Sequence, residues 1–414
     1  MIQIRWCALS VLVLLSSVAY ECVGQVPASQ HKGSTLGQAT SSTPPNTEHN
    51  PQLSKCGTGG DVRAVDSLLR SRNYGQAIVV LKCMEQCNPD DGMVREKLIY
   101  SYLKNHSVKE ARAEAENAAR GTSSERTVYV AHILNSNGDF AGAQTMLKQL
   151  IDSGSDTADV HAELGRAYLG QNKYEESVRE LGAAVQLDPA TESYTIDLAS
   201  ALLSWGNYPT ALKFLEAVRD RFGNSPKYLY DQAWAYYGLR QTAHTIAILQ
   251  ALLQKEPNWD LAHYSLGNAF SMQGDLAGAE KQYRSAIILN NSSATYYIAL
   301  GRVLRERDAL LEAISFLKKA IDLEPRNIDA EFELALAYSF QRENEKARRL
   351  LEDVTARDPG KADAHRVLGL VCYRLKLPGE GAKQIAIAAD LSEKARQGGK
   401  GQSTPESADT PSFR

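Results

Sequence analysis

The sequence predicts an all-α chain, a solenoid of stacked helix hairpins, and three observations predict it. A stretch starting at Leu164, LGRAYLGQNKYEESVRELGAAVQLDP, returns at Leu266 as LGNAFSMQGDLAGAEKQYRSAIILN and at Leu300 as LGRVLRERDALLEAISFLKKAIDLEP. Stepping by 34 residues places repeat starts at 158, 192, 226, 260, 294, 328 and 362. Within one repeat, residues 158 to 171 and 175 to 188 each carry apolar side chains at helical spacing, with the turn GQNKY between them. One such hairpin cannot bury its apolar face, so neighbouring repeats stack and share one core.

The chain begins MIQIRWCALSVLVLLSSVAYECVGQV. Arg5 supplies a short positive region, Trp6 to Tyr20 an apolar core, and Cys22 to Gly24 small residues before Gln25, so residues 1–24 read as a signal peptide. The apolar run is shorter than the ~20 residues that span a bilayer. The layout also resembles a bacterial lipoprotein signal closed by Cys22, but Glu21 stands where a small residue is expected. Contact with a membrane is therefore expected only through the transient signal, or through lipid on Cys22 as the minor alternative. Residues 25–57, rich in Ser, Thr and Pro, are expected to be a disordered linker, and residues 396–414 a disordered tail. Between them, 58–395 forms the array. Tyr74, Ala77, Leu81 and Pro89 fall in register with a start at 58, and further starts near 92 and 124 bring the count to ten.

Position 20 is occupied by Ala77, Ala111, Ala143, Ser177, Ala211, Thr245, Ala279, Ala313, Ala347 and Gly381. Leu-Gly recurs at 164, 266, 300 and 368, and Pro closes repeats at 89, 189, 257, 325 and 359. Small residues let two helix backbones approach, large ones fill the space around that contact, and Pro ends the second helix. This pattern resembles the tetratricopeptide repeat, with an aromatic at 4, Leu-Gly at 7 and 8, an aromatic at 11, Ala at 20, an aromatic or Leu at 24 and Pro near 32. The resemblance implies a right-handed superhelix of helix-turn-helix units that binds protein or peptide ligands without cofactor or metal. The fifth repeat departs from it, reaching its proline only at Pro226, as does the last, where Cys372 replaces the aromatic.

Composition narrows the function. Hydrophobic residues at 43% and charged residues at 23% suit a soluble globular chain, and a net charge of -3 offers no basic footprint for nucleic acid. Signal, repeats and tails leave no room for a separate catalytic domain, and the sequence has no phosphate-binding Gly-rich loop, HExxH or GxSxG. His161, His263 and His365 all fall at position 4, where packing is expected rather than metal ligation, because equivalent positions are held apart by the repeat. Of the cysteines outside the signal, Cys83 and Cys87 lie one helical turn apart, a poor geometry for a mutual bridge. Cys56 precedes the first helix, beside the end of the antiparallel second. In an oxidising compartment Cys56–Cys87 is the expected bridge, Cys56–Cys83 the alternative, and three buried thiols the remaining reading. Cys372 is expected to be a buried free thiol.

The family resemblance implies that positions 2, 5, 9, 12 and 13 of the first helices line a concave groove. Carried over, the groove candidates are Tyr230, Trp234 and Tyr237, then Tyr264, Asn268 and Met272, then Arg302 and Arg305. Aromatics give contact area at low entropy cost, Asn bonds backbone groups, and Arg grips a carboxylate. Tyr264 and Ile298 at position 5 leave the family's carboxylate clamp incomplete. The sequence thus points to an exported, non-catalytic adaptor in the periplasm or outside the cell. Its alternatives are an assembly component of an envelope complex and a repeat subunit partnering an enzyme such as a glycosyltransferase.

Overall fold

The computed structural model describes residues 62–89, 91–119 and 123–398. The leader with Cys22, the linker with Cys56 and the tail beyond residue 398 lie outside the described residues. The described helices belong to two compact units that divide between Asn207 and Tyr208. The N-terminal unit contains α1 (Val62–Arg70), α2 (Tyr74–Cys87), α3 (Gly92–Lys104), α4 (Val108–Ala119), α5 (Ser124–Ser136), α6 (Phe140–Asp152), α7 (Ala158–Gly170), α8 (Tyr174–Leu187) and α9 (Glu192–Ser204). The C-terminal unit contains α10 (Tyr208–Phe222), α11 (Pro226–Gly238), α12 (Thr242–Lys255), α13 (Asp260–Gln273), α14 (Leu276–Leu289), α15 (Ala294–Glu306), α16 (Leu310–Leu323), α17 (Ile328–Phe340), α18 (Asn344–Arg357), α19 (Ala362–Arg374) and α20 (Pro378–Gly398). No strand occurs among the described residues, and each unit is an α-solenoid.

Local chemistry sets where helices start and turn. Asp91, Ser123, Thr157 and Asn327 cap first helices and Asn73, Asp139 and Asp275 cap second helices, each side-chain oxygen accepting from a backbone N–H of the first turn. Between the two helices of every repeat the chain passes through one left-handed residue, always fifteenth from the repeat start. These are Arg72, His106, Gly138, Asn172 and Gly206 in the N-terminal unit, and Arg240, Gly274, Asp308, Arg342 and Lys376 in the C-terminal unit. At Asn172 the N–H bonds Leu169 O at 2.9 Å and the next N–H bonds Tyr168 O at 3.0 Å, which closes the helix and reverses the chain.

The small residues do what their spacing requires. A Cβ at Gly301 would lie 2.5 Å from Leu317 Cγ, and one at Gly267 would lie 2.6 Å from the Tyr283 ring, so only glycine admits those second helices. All the position-20 residues are buried, and the Ser177 hydroxyl there is satisfied by donating to Gly165 O at 2.8 Å. Within each unit the first and second helices of a repeat pack together, and the second packs on the first helix of the following repeat. Several first helices also touch their counterparts in the next repeat of the same unit, as α5 does α7 and α15 does α17.

Two details differ from the sequence expectation. Cys87, expected to bridge Cys56, carries a free and exposed thiol, whereas Cys83 is disulfide-bonded. Cys87 is the last residue of α2, turned to solvent, while Cys83 sits one turn back at a half-buried position. The final helix also continues through Gly398, past Arg396 where the tail was expected to begin. Cys372 is a buried free thiol, and burial raises its pKa.

Candidate interaction face on the first helices

One register recurs along the layer of first helices. The ninth residue of a repeat reaches the sixth residue of the following repeat, 31 residues on. In the N-terminal unit this register holds Asp66 with Lys97, His132 with Glu163, and Arg166 with Asp197. Glu163 is buried and accepts from three sides: His132 Nδ1 at 2.8 Å, Asn135 Nδ2 at 2.8 Å and Arg166 Nη1 at 2.5 Å. Burial alone would raise its pKa, but these partners together hold it below the usual value. Its hydrogen bond raises the pKa of His132 in turn.

In the C-terminal unit the same register joins Arg302 to Glu333. Arg302 Nε donates to one carboxylate oxygen at 2.6 Å, and Arg305 Nη2 donates to the other at 3.1 Å. Glu333 is buried, and the Arg305 side chain is only 13% exposed. The two arginines expected to grip a ligand carboxylate therefore already hold one supplied by the protein. Arg302, 43% exposed, keeps an open edge. Burial would lower its pKa, yet the Glu333 carboxylate outweighs that and raises it. Sequence reading missed Glu163, Asp197 and Glu333. The missed signal was an acid 31 residues beyond a basic residue at position 9, visible only once the register is laid out.

The remaining candidates divide by what they touch. Tyr230 stacks on Trp259 with centroids 5.1 Å apart and shares a 3.1 Å hydroxyl bond with Ser265. Tyr264 lies between Tyr283 and Tyr296, with centroids 5.8 and 5.1 Å away. The buried Tyr283 hydroxyl donates to Asn268 Oδ1 at 2.7 Å, and burial keeps its phenol protonated far above the ordinary range. Met272 is exposed, and its sulfur accepts from the Thr242 hydroxyl at 3.3 Å. These four groups join neighbouring helices as well as facing the first-helix layer. Trp234 and Tyr237 are half-buried. The Trp234 indole has no ring or hydrogen-bond partner among the described residues.

The position-4 histidines share one arrangement. His263 Nδ1 lies 2.8 Å from Gln282 Oε1 and its Nε2 3.0 Å from Pro257 O, while His365 meets Gln384 and Pro359 O at 2.6 and 3.2 Å. His161 instead meets two carboxylates, Glu180 at 2.8 Å and Asp156 at 2.6 Å. Burial would lower the His161 pKa, but those carboxylates raise it overall. Each ring ties its first helix to the second helix of the repeat and to the preceding loop. Among the described residues no group of three or more metal-ligating side chains converges.

Comparison with known proteins gives matches along the same register. Residues 134–196 and 304–371 match one family described as tetratricopeptide repeat, and residues 230–294 and 264–328 match a second family with that description. A 62-residue stretch is 39% identical to cell division cycle protein 27 homolog A of Arabidopsis thaliana, covering 15% of this chain and 9% of that protein. The chain thus spans under a tenth of that relative. Among solved structures, MamA is 25% identical with a TM-score of 0.37, covering 40% of this chain and 96% of its own. An IFIT1 monomeric mutant solved with Gppp-AAAA is 14% identical with a TM-score of 0.48, covering 79% and 89%.

Proposed function

Because the chain belongs to the tetratricopeptide repeat family, whose repeats serve protein–protein interaction, we propose that it is a non-catalytic scaffold that takes an extended peptide on the first-helix face of its C-terminal unit. The observation that carries the reading is Trp234. Large aromatic side chains dominate binding where they lie half-open and unspent, and Trp234 stands so on the helix that also carries the half-buried Tyr237. A net charge of -3 argues against nucleic acid as the partner. The leader ending before Gln25 and the disulfide at Cys83 support export to an oxidising compartment.

Short random-sequence peptides selected on the full chain test the reading. Selected peptides are expected to lose about 2 kcal/mol of affinity for Trp234→Ala while the thermal midpoint stays at the parent value. Peptides that bind this variant as tightly as the parent remove Trp234 from the site. N-terminal sequencing from the native source checks export: a start near Gln25 supports it, and an intact Met1 refutes it.

A further inference from the structure

We propose that Phe340, Leu370 and Tyr373, with the guanidinium of Arg374, form an anchoring site for a partner-protein segment that presents a large apolar side chain beside a carboxylate. The inference rests on the scaffold reading above and locates its anchor at the far end of the C-terminal unit. Phe340 ends α17 and is 59% exposed, and Leu370 and Tyr373 on α19 are 49% and 46% exposed. They occupy positions 13, 9 and 12 of two consecutive repeats, on the first-helix layer. Single exposed apolar residues are ordinary, but clustered ones mark contact surfaces.

Two arginines frame this patch, and they differ in what they have left to offer. The Arg305 guanidinium lies over the Phe340 ring, 5.6 Å from its centroid, with its charge met by Glu333. Arg374 Nη1 donates to Ser339 O at 3.1 Å and to Ser339 Oγ at 2.8 Å, which fixes the guanidinium next to Phe340. No carboxylate pairs with Arg374 among the described residues. Its Nε and Nη2 remain, and that edge carries the two parallel N–H groups that match a carboxylate. The acid on α19, Asp363, stands at the opposite end of the helix and is taken by Arg366. An arriving Asp or Glu meets a positioned, uncompensated cation there, whereas an arriving Lys or Arg meets repulsion.

The test uses short random-sequence peptides selected on the full chain and the composition of the selected pool. Peptides with Asp or Glu beside Leu, Phe, Tyr or Trp are expected. Arg374→Gln is expected to weaken them about tenfold and to flatten their salt dependence. Phe340→Ala is expected to weaken them about tenfold with the salt dependence kept. Tyr373→Ser stands in if Phe340→Ala lowers the thermal midpoint. A basic or unbiased pool, or an acidic pool that binds both variants like the parent, overturns the site. A pool sensitive to Trp234→Ala alone overturns this site and leaves the scaffold reading standing, and an empty selection overturns both. Sedimentation settles self-covering: a parent that self-associates through Phe340, lost in Phe340→Ala, overturns a separate partner.

Discussion

The two units fill one register with different chemistry. In the N-terminal unit the first-helix layer is a branched polar ladder, where Glu163 is shared by His132, Asn135 and Arg166, and Arg166 reaches on to Asp197. In the C-terminal unit the layer carries the aromatic groups of Tyr230 and Tyr264, and the position-9 register holds one acid, Glu333, between two arginines. A branched ladder can lose a member and redistribute its bonds or discharge a histidine; a single shared acid cannot. The difference teaches that a position pointing along the inner layer is not thereby a ligand position, since here several such residues hold one repeat to the next.

The largest expected effect breaks the comparison at its acids. Glu333→Ala leaves Arg302 without its carboxylate and Arg305 with only Glu306 at 3.7 Å, and is expected to cost about 3 kcal/mol in denaturant unfolding. Glu163→Ala leaves Arg166 its Asp197 and lets His132 become neutral, so about 1 kcal/mol is expected. Equal losses would show that the two ladders are equivalent.

Much of this was legible in the sequence. The repeat period and the small residues at position 20 follow from residue size and spacing alone, and the family resemblance implied that the position-4 histidines pack. The family's ligand positions were legible only as positions, because whether Arg305 faces a peptide or a buried acid depends on Glu333 in another repeat. The expected bridge failed at Cys87, whose thiol is free, for a similar reason: Cys83 and Cys87 differ by how each side chain sits on α2, which spacing does not reveal.

A titration sharpens the contrast at smaller magnitude. Burial, then the hydrogen bond to Glu85, push Glu114 up to about 7 from 4.5, and the hydrogen bond to Glu163 raises His132 above 6.5. Groups raised on folding stabilise below their unfolded values and lose that contribution as pH rises through the folded ones. Glu163, depressed on folding, acts oppositely, contributing above 4.5 and losing its contribution as pH falls through its folded value. Hydrogen exchange resolved by unit is expected to show the N-terminal unit losing protection as pH rises from about 5 to about 8. The half-exposed His132 contributes less than about 1 kcal/mol after screening, and His132→Gln is expected to flatten the upper part of the curve. A profile unchanged by that substitution would remove the histidine from the ladder's energetics.

The smallest difference is expected at the turns, which both units build alike. Gly138→Ala in the N-terminal unit and Gly274→Ala in the C-terminal unit put a Cβ on left-handed backbone at φ 86° and 87°, and each is expected to cost about 1 kcal/mol. Unequal costs would mean that the turns, and not only the inner layers, distinguish the units.

Peptide affinity and thermal midpoint, measured together on Trp234→Ala and Arg305→Gln, test the division of labour in the C-terminal unit. Trp234→Ala is expected to lose affinity and keep its midpoint. Arg305→Gln is expected to lower the midpoint while the folded fraction binds as the parent does. The reverse result, with affinity and its salt dependence lost in a fully stable Arg305→Gln variant and binding kept by Trp234→Ala, would contradict the assignment of binding to the aromatics and of cohesion to the arginines.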